Sequence, residues 1–376
     1  MSRIAVIDDT ICNSFLKNPV TERYRLEDGV FHERDVSNDR ISHGTLVAKV
    51  LELYATNYDL INIEIVDNWF TVKRCPVEFL RIALDFCLNI QCDIVHISLG
   101  SKRLSDMRYL FPAIKKIQQA GIPIIAACSN SFHRTIPASF HNVLGVVSDR
   151  SNHLKPGTYN LTYNPYLGIQ YIANYELSVP GVKLTRASNS LAAPIITAQV
   201  NCILNQKHCS YVELANELKV YASGNSVIGN DFLYSATHNE IPVIYLADIL
   251  TNEKEQQLLL LDLFNRDGYE VLGISDLSDL SDVRVLNLSA ISHGTMKEIQ
   301  ESTCACAKVD LTIFFTSSRW LTQQNWSQFE KDSAILISSN VAPTMPEDVA
   351  IRQCYIVNES RNVQFLYRKL SKILLK

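Results

Sequence analysis

The chain has 376 residues, 47% of them hydrophobic and 20% charged, with a formal net charge of -4. This is globular composition, long enough for one large or two medium domains. A mildly acidic chain with no basic stripe and no low-complexity tract argues against a nucleic-acid partner or an anionic membrane surface.

The N-terminal "MSRIAVIDDT" runs from a short apolar stretch straight into two aspartates. A secretory signal needs a longer apolar region and a small-residue cleavage site, so none is expected here. No run reaches the ~18 apolar residues of a membrane span; "LLLLDLF" at Leu258–Phe264 is too short and is flanked by charge. Ten cysteines are scattered along the chain, which suits a reducing, cytoplasmic compartment with thiols used as small apolar side chains. Cys304 and Cys306 form a lone Cys-x-Cys without a second pair or a nearby histidine, so no metal is expected.

In chain order, "RIAVIDD" reads as a buried strand and "NIEIVDNWF" (62–70) as a second. A helix follows over 76–90, then the strand "DIVHISLGS" (93–101), a helix over 106–121, the strand "PIIAACSNS" (123–131) and the strand "NVLGVVS" (142–148). Asp149–Gly168, rich in Pro, Gly, Asn and Tyr, reads as a loop or hairpin region, and "SLAAPIITAQVNCILNQ" (190–206) as a helix. Strands alternating with helices at this spacing indicate parallel βαβ units, an α/β fold with a parallel sheet and helices on both faces. Lys219–Glu240 reads as a linker. After it strands at 241–248, 270–275, 283–289, 311–317 and 334–339 alternate with helices at 253–269, near 294–304 and at 363–376. The expected organisation is a first domain over 1–218, a linker over 219–240, and a smaller Rossmann-like α/β domain over 241–376.

Six short segments stand in a telling order. "IAVIDDTI" puts Asp8 at the end of the first strand, and "SHGTLVAKVL" puts His43 at the start of an apolar helix. "IVHISLGS" is a strand with a polar tail, "PIIAACSNS" carries a strand that ends on Asn130, and "PASFHNVLGVVS" follows. "SVPGVKLTRASNSLAAPIITAQV" carries Ser190 just before an alanine-rich helix with Pro194. Together these resemble the subtilisin-like serine proteases, the subtilases, over about the first 200 residues. The family's active-site segments read as a strand ending Asp-Ser/Thr-Gly, then His-Gly-Thr-His-Val-Ala, then Gly-Thr-Ser-Met-Ala-Ser-Pro.

The resemblance implies an Asp/His/Ser triad with Asp8 as orienting carboxylate, His43 as general base and Ser190 as nucleophile, and Asn130 as oxyanion donor. It implies that Ser98, Leu99, Gly100 and Ser101 pair with an extended peptide as an added strand, and that Ala126, Ala127 and Cys128 line the opposite wall of the pocket. It implies no cofactor. Three departures stand out: Thr10 and Ser129 where the family has glycine, and Ser188-Asn189 in place of Gly-Thr. Asp9 is a rival to Asp8, and Ser188 to Ser190.

The residue types suit the chemistry. A serine hydroxyl is a poor nucleophile until a neighbouring base accepts its proton, and imidazole can accept it near neutral pH. Ser-His-Gly-Thr occurs a second time, at Ser292–Thr295. That copy lacks an aspartate strand ahead of it and a serine helix beyond it, so it reads as a helix start with Ser292 as N-cap. The second domain has no glycine-rich turn and no Gly-Lys-Ser/Thr, which leaves nucleotide binding unsupported. The expectation is an intracellular serine endopeptidase for a dedicated peptide, such as the leader of a ribosomally made natural-product precursor. Its partners are then a peptide or protein substrate and a peptide-maturation enzyme. The alternative is an inactive subtilase-like peptide-binding protein.

Overall fold

The structure is a computed structural model describing residues 1–34, 41–66, 75–178, 188–224, 241–277, 282–291, 296–322, 334–338, 353–357 and 362–374. Part of the expected linker, residues 179–187 of the segment ahead of Ser190 and the second Ser-His-Gly-Thr lie outside the described residues. The chain divides into two compact units, the first made of residues 1–102, 106–164 and 168–230 and the second of 103–105, 165–167 and 231–376.

The first unit contains β1 (Ser2–Asp8), β2 (Glu22–Glu27), β3 (Val30–Glu33), α1 (His43–Tyr54), β4 (Tyr58–Glu64), α2 (Val77–Asn89) and β5 (Ile94–Ile97). It continues with α3 (Met107–Gln119), β6 (Ile124–Ala127), β7 (Leu144–Ser148), β8 (Tyr159–Asn164), β9 (Ile169–Ala173), α4 (Asn189–Gln206) and α5 (Tyr211–Val220). The strands form one nine-stranded sheet in the order β3-β2-β4-β1-β5-β6-β7-β9-β8. Its middle is parallel and each edge closes with an antiparallel pair, β2–β3 and β8–β9.

The core explains the layering. Ile4 and Val6 of β1, Ile94, Ile125 and Val146 share one cluster with Val47 and Leu51 of α1 and Leu191, Ile195 and Ile203 of α4. Helices α2 and α3, each with one apolar stripe, pack on each other. Helix α4 is buried along most of its length, as an evenly apolar helix must be. Because β-strand side chains alternate, Asp8 follows Ile4 and Val6 and projects toward α1 and α4. The sheet thus delivers that carboxylate to the helix starts.

Several elements of the first unit differ from expectation. Strand β4 begins at Tyr58, ahead of the expected 62, because Leu60, Ile61 and Ile63 are the residues buried against β1 and β2. The β2–β3 hairpin was not expected. It turns at Asp28-Gly29, both with positive φ (48° and 82°), the signature of a two-residue hairpin turn. Helix α5 was not expected either; Ser210 and Glu213 cap it reciprocally, and Leu214 and Leu218 join the core.

The second unit contains β10 (Val243–Ala247), α6 (Lys254–Arg266), β11 (Val271–Ser275), β12 (Val285–Asn287), α7 (Leu288–Ile291), α8 (Met296–Cys306), β13 (Leu311–Thr316), α9 (Ser318–Thr322), β14 (Ala334–Ser338), β15 (Gln353–Val357) and α10 (Val363–Leu374). Its six strands pair in parallel in the order β12-β11-β13-β10-β14-β15. Ile244 and Leu246 pack with α6 and α10, while Tyr245, of opposite parity, accepts a 2.6 Å hydrogen bond from Gln300 of α8. Helices therefore cover both faces.

Candidate active site

The carboxyl ends of β1, β5, β6 and β7 lie side by side in the first sheet, and open α/β sheets place their ligands at such an edge. Asp8 closes β1, fully buried, and takes a 2.8 Å hydrogen bond from the Asp9 N–H. His43 opens α1, where the Ser42 hydroxyl caps the helix by accepting the Thr45 N–H. Its Nδ1 stands 2.9 Å from both Asp8 carboxylate oxygens, and its Nε2 stands 2.9 Å from Ser190 Oγ. Ser190 is the second residue of α4. Pro194, four residues on, carries no N–H to bond the Ser190 carbonyl.

Asp9 has a different task from Asp8. Its carboxylate accepts the N–H groups of Gly44 (2.6 Å) and His43 (3.3 Å), so it satisfies the start of α1. Gly44 is needed for this approach: a Cβ there would meet the Asp9 carbonyl at 2.7 Å. Burial pushes the His43 pKa down, but the Asp8 charge, the Asp8 hydrogen bond and the Asp9 charge together hold it above its ordinary 6.5.

Asn130 follows β6. Its Oδ1 accepts the Asn189 N–H at 2.7 Å, which leaves the two Nδ2 hydrogens to donate elsewhere. Its carbonyl accepts from Arg150, whose guanidinium lies 3.7 Å over the Phe132 ring. Asn189 is fully buried; its Oδ1 accepts from the N–H and Oγ–H of Ser148, both at 2.9 Å, and its Nδ2 donates to the Ser129 carbonyl at 2.8 Å. This residue ties the ends of β6 and β7 to the start of α4. Sequence reasoning noted it only as a departure from the family; an amide between two serines ahead of a buried helix was the available signal.

Ser98 and Leu99 follow β5, and the Ser98 hydroxyl is 2.8 Å from His96 Nε2. Burial pushes His96 down to about 4, so it is neutral at pH 7. Gly100 packs so closely that a Cβ would lie 2.5 Å from the Ile136 carbonyl. Ser101 exchanges two 2.8 Å main-chain hydrogen bonds with Ile136. Those main-chain groups of Ser101 are therefore already used within the chain. Ala126, Ala127 and Cys128 are buried, whereas Ser129 is half-buried. Cys128 directs its Sγ at the His133 carbonyl, and burial holds its thiol at about 12, protonated and unreactive.

The substituted glycines carry no strain. None of Thr10, Ser129, Ser188 or Asn189 has a positive φ. The Thr10 hydroxyl donates to the buried Glu64 at 2.6 Å, and its carbonyl accepts from Ser42. Among the described residues no group of three His, Cys, Asp or Glu is placed to hold a metal ion, and no helix is long and apolar enough to cross a membrane.

No known protein family's profile matches the chain, and no curated protein matches it. Solved structures do. The prenylagaramide maturation protease PagA is 19% identical, with a TM-score of 0.41 over 57% of this chain and 80% of that one. A lanthipeptide protease is 16% identical, with a TM-score of 0.44 over 57% and 78%. The epidermin leader peptide processing serine protease EpiP from Staphylococcus aureus is 17% identical, with a TM-score of 0.42 over 58% and 68%.

Proposed function

We propose that the chain is a serine endopeptidase of the subtilase type, with Asp8, His43 and Ser190 as its triad. One observation carries this reading: a buried carboxylate, an imidazole and a serine hydroxyl in an unbroken hydrogen-bonded line with both imidazole links at 2.9 Å. Ser190 Oγ attacks the scissile carbonyl carbon as His43 Nε2 takes its proton, and Asp8 holds the imidazole in the Nδ1–H form and stabilises the imidazolium. The carbonyl oxygen gains charge and is met by Asn130 Nδ2 and the Ser190 N–H, which has no intrahelical acceptor in the first turn of α4. The C–N bond then breaks, with His43 protonating the leaving amine. Water, activated by the same imidazole, releases the acyl group and restores the Ser190 hydroxyl.

The substrate is a peptide held in extended form along Ser98–Gly100. The presence of a second α/β unit supports a dedicated peptide that this unit helps to recognise, with leader removal from a ribosomally made precursor as the reaction. Incubating the protein with precursor peptides encoded beside it tests this. Cleavage of one of them, lost in Ser190→Ala, is the expected outcome; cleavage that survives Ser190→Ala, or none at all, removes the reading.

A further inference from the structure

Ser188 stands where subtilases have glycine, two residues ahead of the nucleophile. Its main chain is anchored on both sides. Its N–H donates to the Tyr175 hydroxyl, and its carbonyl accepts the N–H groups of Leu191 (3.2 Å) and Ala192 (3.1 Å). Ser188 occupies the N-cap position of α4, where a serine hydroxyl ordinarily accepts an N–H from the first turn. This one makes no such bond. Its Oγ lies 2.9 Å from Ser190 Oγ instead.

The direction of that contact follows from the rest of the line. Nδ1 of His43 faces both oxygens of Asp8, an ionised carboxylate only accepts, and so Nδ1 carries the proton. In the neutral imidazole Nε2 is then the acceptor, and Ser190 gives it the only proton it has. The hydrogen between the two serines therefore belongs to Ser188. The chain runs one way, from Ser188 to Ser190 to His43 to Asp8, and bonds aligned in this manner polarise one another.

We propose that Ser188 is a catalytic residue whose hydroxyl donates to Ser190 Oγ and stabilises the negative charge that builds there as the proton passes to His43. The same donor assists when Ser190 leaves again in deacylation. The proposal rests on the reading of Ser190 as nucleophile.

A fluorophosphonate probe tests it with the full chain and needs no knowledge of the natural substrate. In labelling, the Oγ–P bond forms, the P–F bond breaks with loss of fluoride, and the hydroxyl proton goes to His43 Nε2. The measurement is the maximal labelling rate and, separately, the probe concentration giving half of it, for the wild type, Ser188→Ala and Ser188→Gly. A hydrogen bond to a developing charge predicts a loss of about ten- to a hundred-fold in maximal rate for both variants. The half-saturating concentration and the thermal midpoint stay unchanged, because the Ser188 hydroxyl makes no cap bond and its carbonyl is kept in both variants. Unchanged rates in either variant overturn the proposal, as does a loss accompanied by a lowered thermal midpoint or weaker probe binding. Label on Ser188 in Ser190→Ala also overturns it. A wild type that takes no label at all instead defeats the underlying protease reading.

Discussion

Adjacent aspartates divide the labour around one imidazole. Asp8 bonds the His43 ring, whereas Asp9 bonds the main chain at the start of α1 and acts on the ring only through its charge. A base works only when neutral, so labelling of Ser190 by a fluorophosphonate should rise with pH through a midpoint above 6.5, since His43 is held above that value. Asp9→Asn keeps a capping oxygen but removes a charge that favours the imidazolium, and its midpoint should move to lower pH. A midpoint at or below 6.5 in the wild type, or an upward move in the variant, contradicts this assignment. The placing of Asp8 at a strand end and of His43 and Ser190 at helix starts was legible in the letters because each sits in a short motif. The part played by Asn189 could not: its value lies in bonds to Ser148 and Ser129, 41 and 60 residues away, and no local pattern encodes those partners.

At the scale of elements, the buried side-chain amide of Asn189 bonds the start of α4 to the ends of β6 and β7. Asn189→Ala leaves the Ser148 N–H and the Ser129 carbonyl without their partner, which should cost about 2–3 kcal/mol of stability. Denaturant unfolding measures it, with a lowered midpoint and an unchanged slope expected; a loss below about 0.5 kcal/mol, the size of an ordinary surface substitution, contradicts the role. The long parallel βαβ rhythm was legible because buried strands and striped helices alternate. The β2–β3 hairpin escaped although Asp28-Gly29 marks its turn, because its strands are polar and one edge faces solvent. Helix α5 escaped although Ser210 and Glu213 form a capping box, because the segment runs into the presumed linker and only Leu214 and Leu218 of it are buried.

Across the whole molecule, each unit has its own apolar core, one around α4 and one around α6. In the second unit Arg284 is buried and bonds Asp282 (2.9 Å), Asp262 (2.5 Å) and Asn265 (3.0 Å). Arg284→Met strands the buried Asp282 carboxylate and should destabilise that unit by about 3–5 kcal/mol. With separate cores, calorimetry should show one transition lowered while fluorophosphonate labelling at ambient temperature persists. Loss of labelling in the variant contradicts that separation. Every part of the account turns on Ser190 being activated by His43. The most direct test maps the site of fluorophosphonate attachment by mass spectrometry. The account expects one modified residue, Ser190, with the label abolished in Ser190→Ala and in His43→Ala; an unlabelled wild type, or label carried on another serine, contradicts it.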